Sequence, residues 1–108
     1  MKYAVLANLR FETPTKRDQM SQVIKNKIAG KLLWGVTHIA EGISEDGKPF
    51  AGIELRFENK ADMNELFALI KDKIATIPVL KGTVSKHDCT HDETSSKPCI
   101  ISELYQKE

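Results

Sequence analysis

An α+β domain, one antiparallel sheet with two helices on the same face, is the fold that this 108-residue sequence predicts. Two observations carry that expectation. The first is an internal repeat: "NLRFE" at 8–12 returns as "ELRFE" at 54–58, and "IKNKIA" at 24–29 returns at the same offset as "IKDKIA" at 70–75. The second is that each copy reads as strand, helix, strand, so a duplicated unit gives four strands and two helices. The repeat spans about 3–48 and 49–97 of a single domain covering 1–108, and a C-terminal strand is expected at about 98–105.

The elements follow in order. In "KYAVLANLRF" the residues Tyr3, Val5, Ala7, Leu9 and Phe11 alternate with a more polar set, the period-two pattern of a half-buried strand. The segment "TPTKRDQMSQVIKNKIAG" enters as Thr-Pro, carries Met20, Val23, Ile24 and Ile28 at helical spacing and stops at Gly30, a fitting residue after a helix C-terminus. "LLWGVTHIAEGI" and "FAGIELRFE" flank "SEDGKP", whose Asp46-Gly47 pair predicts a tight hairpin. "KADMNELFALIKDKIAT" has Met63, Leu66, Phe67, Ile70 and Ile74 on one stripe and is closed by Pro78. "VLKGTVSKHDC" is the fourth strand. "KPCIISEL" at 97–104 echoes "KPFAGIEL" at 48–55, which predicts that the chain turns back as a fifth strand.

This βαββαβ order resembles the ferredoxin-like fold over residues 2 to about 91. The resemblance implies central strands one and three, strand four beside strand one, and strand two beside strand three. It is one of architecture and carries no function with it. The Cys-x-x-Cys of copper-transfer domains is missing from "FETPTKRD", and the outer positions of strands one and three hold Asn8, Arg10, Glu54 and Arg56 where RNA-recognition domains place stacking aromatics. Dimeric α+β-barrel proteins are similar in size and strand order.

Composition narrows the partners. With 16 Lys and Arg spread among 15 Asp and Glu, the chain has no basic run to track nucleic acid. The N-terminal apolar stretch breaks at Asn8 and Arg10, too short and polar for a membrane span or export signal. A cytoplasmic protein is expected, with Cys89 and Cys99 reduced.

With Val5, Leu9, Phe11, Ile53, Leu55 and Phe57 facing the helices, the opposite sheet face receives Leu6, Asn8, Arg10, Glu54, Arg56, Ser85, His87 and Cys89, joined by Trp34, Val36 and His38. That mixture is expected to bind a small polar ligand through Asn8, Arg10, His38, Glu54 and Arg56, or to pack on a second copy as a homodimer. Glu54 is expected opposite Arg10, with Arg10, Glu12, Arg56 and Glu58 in cross-strand ion pairs or a solvated rim.

The stretch "SKHDCTHDETSSKPC" carries the remaining chemistry. His87, Cys89 and His91 alternate along one strand and so project to one side, suiting two ligands of zinc or another transition metal. His87 and His91 would stand about 13 Å apart on a flat strand, so further ligation falls to Cys99. Pairing of strands four and five with residue numbers totalling an even value such as 188 turns Cys99 toward the side of Cys89; an odd total turns it away. The carboxylates of Asp88, Asp92 and Glu93 disfavour a catalytic thiolate. The leading expectation is a small protein binding a metal ion or polar ligand near His87, Cys89, His91 and Cys99, with no recognisable catalytic set. The alternatives are a ligand-free oligomerisation module and a cofactor-independent enzyme of the dimeric-barrel type.

Overall fold

The computed structural model describes residues 3–29, 38–76, 81–88 and 100–107. The elements are β1 (Tyr3–Arg10), α1 (Pro14–Ile28), β2 (His38–Ile43), β3 (Pro49–Phe57), α2 (Lys60–Thr76), β4 (Lys81–Asp88) and β5 (Ile100–Lys107). One antiparallel sheet has the order β2-β3-β1-β4-β5, the ferredoxin-like arrangement extended by a fifth strand. Gly30, Trp34, Val36, Pro78 and the start of the expected second strand lie outside the described residues, as do Cys89, His91 and Cys99.

Alternation along the central strands selects the core. Val5, Leu9, Phe11, Ile53, Leu55 and Phe57, the expected inward set, are all buried, together with Ala7, Ala51 and Val84. Against them α2 lays Met63, Leu66, Phe67, Ile70 and Ile74, the stripe read from its spacing. Helix α1 contributes less, chiefly Met20 and Ile24. It is fixed over β2 by polar contacts instead: Arg17 Nη1 donates to Gly42 O at 3.0 Å, and Lys25 pairs with Glu41 at 3.4 Å.

The helix and hairpin ends obey local rules. Thr13, in extended conformation ahead of Pro14, accepts a bond from Lys16 N through its hydroxyl and so caps α1. Between β2 and β3, Gly47 N donates to Ser44 O and Ser44 N to Lys48 O, both at 2.9 Å, with Gly47 at φ +79°. This is a three-residue hairpin loop that ends on a left-handed position, where glycine is the residue without a Cβ penalty.

Strand β5 is held to the body from the helix side. Glu103 meets both Lys71 of α2 (3.3 Å) and Lys86 of β4 (3.7 Å), and Lys71 stands over the Tyr105 ring. Lys107 Nζ reaches Ile74 O at 3.5 Å, near the C-terminal end of α2 where a cation is favoured. The β4–β5 ladder runs from Gly82↔Lys107 to Lys86↔Glu103, then shifts to His87↔Ile101 and Asp88↔Ile100. The irregularity leaves Ser102 out of register and puts Ile101 on the same face as His87.

Candidate functional site

The open face of the sheet is built in rows, because directly opposed residues of antiparallel strands point the same way. One row runs Arg56, Ala4, His87, Ile101; the next His38, Glu54, Leu6, Ser85, Leu104; then Ala40, Gly52, Asn8, Thr83, Gln106; and last Gly42, Phe50, Arg10, Lys81. Every residue expected to face away from the helices that the structure describes does so. They do not form one cluster. His38, Glu54, Arg56 and His87 occupy the first two rows, whereas Asn8 and Arg10 lie in the last two. Six residue steps along β1 lead from Ala4 to Arg10, so His87 and Lys81 stand about 20 Å apart along the sheet.

The expected pairing of Glu54 with Arg10 does not form. The β1–β3 register sets Glu54 against Leu6 and Arg10 against Phe50, which moves the two charges two rows apart. Glu54 pairs instead with Arg56 on its own strand, with Arg56 Nε donating to Glu54 Oε1 at 2.8 Å. Arg10 turns to the hairpin and binds Asp46 at 2.9 Å, and Glu12 meets Lys48 at 3.7 Å. The two copies of "LRFE" therefore make these ion pairs near opposite ends of the sheet.

The first two rows combine exposed apolar groups with half-buried polar ones. Leu6 is 37% exposed, Ile101 58% and Leu104 58%. Ala4, flanked by Arg56 and His87, is only 7% exposed although it lies on the open face. His87 shares a 2.8 Å hydrogen bond with the Ser85 hydroxyl through Nε2, and partial burial holds its pKa below the ordinary value of 6.5. Loss of water around the ring disfavours the cation, leaving the neutral imidazole, the form that ligates metals. Of the four expected metal ligands, His87 is the one within the described residues. Among those residues no three His, Cys, Asp or Glu side chains are grouped to hold an ion. The β4–β5 pairs total 189 as far as Lys86↔Glu103 and 188 from His87↔Ile101 onward.

At the other end the open face becomes a cleft of about 540 Å³. Its floor is Asn8, Arg10, Lys81 and Thr83, and the β2–β3 hairpin, from Ile43 to Glu45, forms one side. Phe50 lines it as well. A Cβ on Gly42 would come within 2.8 Å of the Phe50 ring, so glycine there gives the ring its place over β2. Asp46 is kept ionised by the Ser44 hydroxyl first, then by the Lys48 backbone N–H, with Arg10 adding to both. Lys81, Thr83, Phe50 and Gln106 were not in the expected ligand set. The alternation that places Ser85 and His87 outward extends back to Thr83 and Lys81, and that of Glu54 and Arg56 extends back to Phe50, but Gln106 needed the strand register.

Fold and face together define a small ferredoxin-like α+β domain with one sheet face left open among the described residues. No family model matches the sequence, and no curated protein matches it. Among solved structures, the chain is similar to the C-terminal domain of the MgtC protein from Mycobacterium tuberculosis, at 18% identity and a TM-score of 0.48, covering 87% of this chain and 93% of that one. No helix of the described residues is long and apolar enough to cross a membrane.

Proposed function

We propose that this chain is a binding module that works as a homodimer, two copies packing through their open sheet faces. The observation that carries the reading is the exposure of Leu6, Ile101 and Leu104 on one face beside half-buried His87 and Arg56. Large apolar side chains grouped on a sheet face, among partly desolvated polar ones, favour a protein partner over water. The size is adequate. Five strands spaced at about 4.8 Å and eight residues long give roughly 600 Å² per copy, and hence about 1,200 Å² in a pair, the lower end of the stable range. Sedimentation velocity between about 5 and 500 μM tests this: the chain should sediment as a dimer, and Leu104→Glu should sediment as a monomer with an unchanged far-UV spectrum. A wild-type chain that stays monomeric throughout refutes the proposal.

A second reading concerns the metal. The last described pairs of the β4–β5 ladder, His87↔Ile101 and Asp88↔Ile100, support it, because their totals of 188 follow the even register that the sequence requires for Cys99 to share the side of Cys89. On this reading His87, Cys89, His91 and Cys99 bind zinc or another transition metal. Elemental analysis of protein purified without a His tag should find one equivalent of metal, lost in His87→Ala and in Cys89→Ser. Less than a tenth of an equivalent in the wild type would dismiss the metal and leave the dimer untouched.

A further inference from the structure

In the last row of the open face, Arg10 of β1 and Lys81 of β4 are directly opposed. Like charges in that position repel and destabilise the pair. One of the two is answered: Arg10 is bound to Asp46, and Asp46 is held in turn by Ser44 Oγ and by Lys48 N at 3.2 Å. Lys81 has no ion pair or hydrogen bond among the described residues, and neither do the Asn8 and Thr83 side chains, opposed to each other one row away. An ammonium, an amide and a hydroxyl therefore line the floor of the cleft with capacity to spare, and the Phe50 ring offers an apolar surface beside them. The volume, about 540 Å³, lies within the range of roughly 300–1,000 Å³ usual for small-molecule sites.

Charge sets the class of ligand. Arg10 and Asp46 close on one another, leaving one unanswered cation, and Glu45 at the hairpin side repels additional negative charge. A monoanion fits this balance and a polyanion such as a nucleotide does not. We infer that the cleft binds a small organic monocarboxylate, with the carboxylate on Lys81 and the neighbouring Asn8 and Thr83, and the apolar part against Phe50. The cleft is formed within one copy but lies on the face that the proposed dimer buries, so a second copy and the carboxylate compete for it, and the titration uses the Leu104→Glu chain, in which the face is free.

Amide NMR spectra of the labelled Leu104→Glu chain, titrated with benzoate, phenylacetate and isovalerate and with the uncharged benzamide, test the inference. At least one carboxylate should shift the amides of residues 8–10 and 81–83 saturably, with benzamide at least tenfold weaker. Lys81→Gln added to that chain should weaken that carboxylate about tenfold or more, while leaving the melting temperature of the free protein unchanged or raised, since the repulsion with Arg10 is removed. A merely structural lysine would behave in the opposite way, lowering the melting temperature. No saturable shift from any of the three carboxylates, equal response to benzamide, or undiminished binding by Lys81→Gln overturns the assignment.

Discussion

His87 is the residue whose chemistry depends most on its surroundings. On its strand it stands beside Ser85; across the sheet it faces Ala4 on one side and Ile101 on the other, with the Arg56 guanidinium beyond Ala4. Partial burial lowers its pKa, so in the interval between the folded value and 6.5 the unfolded chain binds more protons than the folded one. Stability therefore rises with pH across that interval: its contribution is fully present above about pH 7 and is lost as pH falls through the folded value. In chelator-treated protein, the His87 ring should titrate below 6.5 by proton NMR, and His87→Gln should flatten the dependence of the urea midpoint between about pH 5 and 7. A His87 ring titrating at or above 6.5 would contradict the burial argument. The sequence made His87 visible as an outward residue through alternation alone. Its desolvation was not legible, because Ile101 reaches its side only through the irregularity that skips Ser102.

Among the elements, α2 was the most legible. Its bounds, Lys60–Thr76, coincide with the expected segment, and all five apolar residues of its stripe are buried. Helix α1 shows what spacing alone misses. Met20 and Ile24 are buried as expected, but Ser21 is also only 1% exposed, and its hydroxyl finds no hydrogen-bond partner among the described residues. A buried hydroxyl without a partner costs about 1–3 kcal/mol, and alanine is also the better helix former. Ser21→Ala should accordingly raise stability by about 1 kcal/mol, read as a higher urea midpoint at constant slope. A lowered midpoint would mean that the hydroxyl is satisfied after all. The fifth strand, expected at about 98–105, is Ile100–Lys107. Its echo of "KPFAGIEL" marked a strand, but its place is set by Glu103, Tyr105 and Lys107 docking on α2, contacts that no local pattern encodes.

At the scale of the molecule, duplication accounts for the plan: β1, α1 and β2 are answered by β3, α2 and β4, and both helices cover one face of the sheet. Dimerisation would bury the other face, and its thermodynamic signature is a melting temperature that rises with protein concentration. The sequence by itself determined the element order, the inward residues from Val5 to Phe57 and the outward set from Leu6 to His87. Alternation and helical period are local properties, so residues two or four apart suffice to reveal them. Only the tertiary structure decided which outward residues meet. Strand register is a long-range choice, and moving it by a few residues exchanges every cross-strand neighbour. That choice separated Glu54 from Arg10, set Lys81 against Arg10 in a cleft, and carried His87 to the far end of the same face, about 20 Å away.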